Sequence, residues 1–283
     1  MISVARTKHL PAPELPRSAK KAISALSRPG PHAVLRGELG LVGLSGVLYT
    51  PDAGLGLPAI AFGHDWLQAP TRYLPLFRHL ASWGFVVAAP ATQRGPVPSH
   101  ARFSSDLRTT LEVCAGVRLG DGQISVDRQR LALAGHGMGG GCAVLAAADR
   151  QAAGEPVAAV VTLAAAQTYP SALDAAGLVT VPGLHLAAGN DQVAPLEANA
   201  EPLARAWGGR AVLRSLPKAN HLAFLSGRGL IDNLLAGKPH AGTARQAYAL
   251  MTGFLLRATD LNGPDLDDLF DGELKKTQLL HTH

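Results

Sequence analysis

Short apolar runs and segments of helical period alternate along this chain from about residue 31 onward. VLRGELG and LVGLSGVLY read as two strands joined by a glycine-bearing turn. LPAIAFG, FVVAAP and RLALAGH are apolar runs that end at turn residues, the pattern of strands buried on both faces. PVAAVVTLAAA, VPGLHLAAG and GRAVLRSLP supply three more. Between them, TRYLPLFRHLASWG, SSDLRTTLEVCAGVRL, CAVLAAADRQ, ANAEPLARAWGG and TARQAYALMTGFLLRATD carry helical periodicity. The first of these stops at Gly84, and Ser104 or Ser105 is a plausible N-cap for the second. Strand–helix alternation of this kind predicts an α/β fold with a mostly parallel central sheet and helices on both faces.

The ends differ from this core. Residues 1–30 are a basic, Pro-punctuated N-terminal extension, 31–258 the main domain, and 259–283 a tail. The tail begins acidic (Asp260, Asp265, Asp267, Asp268, Asp271, Glu273) and is expected to be loosely held. RSAKKAISALS, residues 17–27, predicts a short amphipathic helix packed on the domain edge; a membrane-surface contact is the poorer reading.

Composition narrows the class. The 283 residues are 47% hydrophobic and 17% charged, enough for a buried core and incompatible with a disordered chain. The net charge is +5, but the basic residues are scattered, so no nucleic-acid partner is expected. No apolar run of signal-peptide or membrane-spanning length occurs, which makes a cytoplasmic location the expectation. The two cysteines, Cys114 and Cys142, lie in apolar helical stretches and read as buried free thiols, with a disulfide unsupported. No metal or cofactor is expected: the adjacent pair His64-Asp65 does not by itself make a metal site.

The informative stretch is LALAGHGMGGGCAVLAAA. A strand ends at Gly135-His136, turns, and enters a helix of small residues at Met138, the context of the G-x-S-x-G nucleophile elbow. Gly135 and Gly139 flank the turn, where side chains would keep strand and helix apart. The central position is Gly137, which has no group that can attack a carbonyl. The bland alternative is a glycine-rich phosphate turn, since Gly135, Gly137 and Gly140 also fit G-x-G-x-x-G. That fingerprint opens the first βα unit and needs an acidic residue about 20 positions on. Here the turn lies in mid-chain, Asp149 comes too early and Glu155 precedes a strand.

Two further residues decide between these readings. Asp191 follows a strand end in GLHLAAGNDQVAP, and His221 lies in the loop after the next strand, in LPKANHLAFL. Singly, they read as a loop cap and a surface histidine. Together, after an elbow, they follow the order nucleophile–acid–base of α/β-hydrolases.

From about residue 32 to 258 the chain resembles bacterial cutinases, polyethylene terephthalate hydrolases and dienelactone hydrolases. Their elbow G-H-S-M-G-G-G matches Gly135-His136-Gly137-Met138-Gly139-Gly140-Gly141. Their acid segment G-x-x-D-x-x-A-P matches Gly189 to Pro195, and their G-A-S-H-F resembles Lys218 to Leu222. The resemblance implies an α/β-hydrolase fold, His221 as base, Asp191 as acid, and backbone oxyanion donors at Met138 and His64. Trp66 and His136 become candidate substrate contacts, and Trp66 and Tyr73 are aromatic rim or pocket-wall residues. The one departure is the nucleophile.

Removing the serine of such a triad costs about 2 × 10⁶ in turnover, roughly 8–9 kcal/mol. A serine acyl-enzyme mechanism is therefore excluded. Three readings remain. The leading one is a pseudo-hydrolase that binds an ester- or lipid-like small molecule, or a protein partner. The second is a hydrolase or lyase that uses the His221–Asp191 dyad and a water. The third is an engineered inactive variant of a serine esterase, although no tag or linker is visible.

Overall fold

The computed structural model describes residues 10, 13–16, 18–227, 241–260 and 272–282. Nine strands among them form one sheet in the order β1-β2-β4-β3-β5-β6-β7-β8-β9. They are β1 (Val34–Glu38), β2 (Gly46–Pro51), β3 (Gly54–Gly63), β4 (Val86–Pro90), β5 (Ile124–His136), β6 (Ala159–Leu163), β7 (Gly183–Ala188), β8 (Ala211–Leu216) and β9 (Gln278–Thr282). The six central strands, β4 to β8 through β3, run parallel, and β1, β2 and β9 join antiparallel at the edges.

The helices are α1 (Ala19–Leu26), α2 (Leu74–Ser82), α3 (His100–Gly116), α4 (Met138–Ala152), α5 (Ala172–Ala176), α6 (Ala200–Arg205) and α7 (Ala241–Ala258). They cover both faces of the sheet, because successive strand residues point to opposite sides. Along β3, Ile60 and Phe62 join the core under α1, α2 and α7, while Ala59 and Ala61 join the core under α3 and α4. All four are at most 1% exposed, which is why the run carries no polar residue.

Two expectations are corrected, and the edge-packed helix at residues 17–27 is found where it was expected. Helix α3 starts earlier than expected: Ser99, five residues before Ser104 and six before Ser105, caps it by accepting the Arg102 N–H at 3.3 Å, and Ser104 is buried. The tail is not wholly loose, since Gln278–Thr282 pairs with β8 as an edge strand. Behind it lies Arg214, fully buried, donating to the Gly272 carbonyl at 2.6 Å and to Thr277 Oγ1 at 3.2 Å. Asp265, Asp267, Asp268 and Asp271 lie outside the described residues. Helix α1 buries Ala22 and Leu26 and packs on α7, so its apolar side is used within the fold and not at a membrane surface. No helix among the described residues is long and apolar enough to cross a membrane.

The parallel strands point their C-terminal ends the same way, and register fixes what meets there. Gly63 at the end of β3 pairs with Gly135 at the end of β5. A β-carbon on Gly63 would come within 2.8 Å of Gly139 backbone atoms, and one on Gly139 would collide with the Gly63 carbonyl. The bare backbones let the loop after β3 lie directly against the start of α4.

Candidate functional site

The strand β5 turns into α4 at Gly137, whose φ of 52° and ψ of −120° lie in a region that side chains rarely adopt. This is the strained turn expected of a nucleophile elbow. The space a side chain would use there is filled. A β-carbon on Gly137 would fall inside the carboxylate of Asp65, two residues beyond the end of β3. Asp65 Oδ1 accepts the Met138 N–H at 2.9 Å, and Asp65 Oδ2 accepts from His221 Nε2 at 3.0 Å.

The rest of the relay continues from His221. Its Nδ1 donates to Asp191 Oδ2 at 2.7 Å. Asp191 Oδ1 accepts the N–H groups of Val193 and Ala194, each at 2.9 Å, which fixes the carboxylate. The trio Asp65–His221–Asp191 is thus an imidazole held between two carboxylates. Side-chain exposure is 2% for His221, 0% for Asp191 and 12% for Asp65, so solvent reaches the relay mainly through Asp65.

Charge follows from this geometry. Burial works against a charged His221, but hydrogen bonds to Asp191 and Asp65 and the charges of both carboxylates outweigh it and raise the imidazole pKa to about 9. Burial likewise opposes an ionised Asp65, yet His221, the nearby His136 and the Met138 N–H bring it down to about 2. At neutral pH the relay is carboxylate–imidazolium–carboxylate. An imidazolium cannot take a proton from water or from a hydroxyl.

Tyr73 and His136 hold the loop from behind. Tyr73 is fully buried against Phe62 and Phe77, with ring centroids 4.8 Å and 6.0 Å away. Its hydroxyl accepts the Asp65 N–H at 3.0 Å and donates to His136 Nδ1 at 2.9 Å. Burial and the Asp65 charge keep that hydroxyl protonated. Burial, and then the neighbouring His221 charge, lower His136 to about 4, so it is neutral. Its ring lies 4.6 Å from that of His221.

The expected residues therefore separate. Gly137, Met138, Asp191 and His221 come together. His136, expected to touch substrate, is 0% exposed and backs the His221 ring instead. His64 is also fully buried, its ring nitrogens 2.8 Å from the carbonyls of Asp65 and Thr92. Burial lowers its pKa, so the neutral ring can donate to only one of these carbonyls. Its side chain anchors the loop. Trp66 is 46% exposed beside Asp65, its indole N–H on the Pro96 carbonyl at 3.1 Å. Tyr73, read as a rim or wall residue, is a buried strut.

The residue that sequence reasoning missed is Asp65. One signal for it was available, a carboxylate adjoining the presumed oxyanion residue opposite an elbow with no side chain. Asp65, His136 and His221 do bring ligand atoms within 4.8 Å of one another. Those groups are engaged, however: Asp65 with His221, and His136 Nδ1 with Tyr73.

No curated protein matches the chain. The PET hydrolase-like (PETase) family model matches residues 16–222, which include Asp65, the elbow, Asp191 and His221. With that span, the parallel sheet and the elbow geometry in place, the chain belongs to the PET hydrolase-like family, an α/β-hydrolase lineage related to esterases.

Proposed function

We propose that this protein is a pseudo-hydrolase: a member of an ester-hydrolase lineage that does not turn over esters and binds an ester- or lipid-like small molecule. The observation that carries the reading is the Asp65 carboxylate in the place of the missing hydroxyl, bonded to both Met138 N–H and His221 Nε2. A carboxylate held there resembles the acid product of ester cleavage bound to an oxyanion donor. A ligand enters by displacing Asp65 and presenting its own oxygen to the Met138 N–H, with His64 as the second backbone donor and Trp66 at the mouth.

The dyad reading has less support. It needs His221 as a base, and His221 is protonated until about pH 9. The test has two arms. Purified protein should leave short p-nitrophenyl esters intact at pH 7, with His221→Ala giving the same background rate. Mass spectrometry of an organic extract should recover an ester- or lipid-like compound. Hydrolysis by wild type that His221→Ala abolishes would overturn the proposal.

A further inference from the structure

A cleft of about 690 Å³ that has no relay residue in its lining opens between the end of α1, the strands β1 and β2, helix α2 and helix α7. Arg28, Arg36, Arg78 and Arg245 line it, and no carboxylate does among the described residues. Arg36 pairs with Glu38 at 2.7 Å. Arg28, Arg78 and Arg245 have no ion-pair partner among the described residues. Two residues of the lining, Tyr49 and His79, carry buried polar atoms, Tyr49 Oη and His79 Nε2, that lack a hydrogen-bond partner. Buried polar atoms are normally satisfied, so each such atom calls for a ligand or a water.

The rim is built, not loose. Gly30 N–H donates to Ser82 Oγ at 2.7 Å, His32 N–H to the Ser82 carbonyl at 3.1 Å, and Trp83 Nε1 to the Arg28 carbonyl at 3.0 Å. These bonds pin the Arg28–His32 segment to the end of α2. A second cleft shares Ser27 and Arg245 and adds Lys20, Lys275 and Lys276 against one acid among the described residues, Glu273. Like charges gathered in a concave surface repel unless an anion joins them, and guanidinium forks match the oxygens of a phosphate.

We propose that this cleft binds the phosphate groups of a soluble phosphorylated small molecule. A soluble ligand fits better than a membrane headgroup, because the apolar side of α1 is consumed by packing on α7 and leaves no membrane anchor beside the cleft. The site has no relay residue in its lining and does not depend on whether the protein hydrolyses esters.

Calorimetric titration with inorganic tripolyphosphate tests it. Binding is expected with a dissociation constant of about 100 μM or tighter in low salt. The Arg78→Ala/Arg245→Ala variant should weaken it by about tenfold or more, since it removes two of the four guanidinium groups that line the cleft. Both residues are exposed, so the fold should survive, as circular dichroism checks. Arg102→Ala/Arg118→Ala, on exposed arginines outside the cleft, should bind like wild type. Absence of binding, equal loss in both double variants, or pelleting with phosphatidic-acid vesicles without tripolyphosphate binding would each overturn the proposal.

Discussion

Gly137→Ser restores the residue type that the elbow calls for, but the structure predicts that it fails alone. Its β-carbon would enter the Asp65 carboxylate, so one of the two groups must move. If Asp65 yields, it loses Met138 N–H and leaves His221 with one counter-charge. Breaking a buried charge pair costs about 3–5 kcal/mol, and a side chain in this φ/ψ region adds about 1–3 kcal/mol. Gly137→Ser alone should therefore lower the unfolding free energy by several kcal/mol and hydrolyse nothing. Adding Asp65→Ala changes three things together. It vacates the space, frees the Met138 N–H for an oxyanion, and removes one of the two carboxylates that keep His221 protonated. A complete triad contributes about 2 × 10⁶ over one without its serine. Recovering even a thousandth of that gives a gain of about 10³-fold. Rates on p-nitrophenyl acetate and butyrate, with fluorophosphonate labelling of the introduced serine, measure it. A single variant as active as the double, or a folded double variant that resists the fluorophosphonate, would refute the reasoning.

Stability should peak near pH 6.5. The folded pKa of His221 is raised to about 9, so its contribution is full below about 6.5 and is lost between 6.5 and 9, on the order of 3 kcal/mol. Burial holds His79 and His136 near 4 and His185 near 3, so these contributions are lost as pH falls below 6.5. Urea midpoints measured from pH 4.5 to 9 check both slopes; stability that rises from pH 7 to 9 would contradict the relay. Deleting residues 273–283 strips β9 from β8 and removes the Thr277 partner of buried Arg214, for an expected Tm loss of about 10 °C by calorimetry. Burial pushes both Cys114 and Cys142 up to about 12, so neither should react with a disulfide reagent until the protein unfolds. Rapid labelling of the native protein would count against that burial.

The central strands and the elbow were legible because their signals are local. An apolar run such as LPAIAFG states its burial, and glycines around a strand–helix turn state a close approach. Asp191 and His221 were legible through their order and their places after strands. Asp65 was not, because its role depends on a register pairing, Gly63 with Gly135, that brings residues 72 positions apart into one volume. The neighbouring His64 offered the more familiar reading and drew attention from the acid. His136 misled for a related reason: a position in the elbow does not say which side its ring faces, and the Tyr73 hydroxyl turns it inward. QLLHT is short, and its pairing depends on the vacant edge of β8, which local pattern does not disclose.

The shared volume of Gly137 and Asp65 also shapes what descent can do with this protein. A serine at 137 and an aspartate at 65 exclude each other, so neither change is neutral in the presence of the other state. An ancestor with a nucleophile could lose it first and only then admit the carboxylate. Once the carboxylate is seated, restoring the serine by one codon change damages the fold before it returns any activity. The exchange behaves as a ratchet, and reversal needs both positions to change together. Relatives with serine at the elbow should accordingly carry a residue other than aspartate opposite it, and chimeras that mix the two states should express poorly.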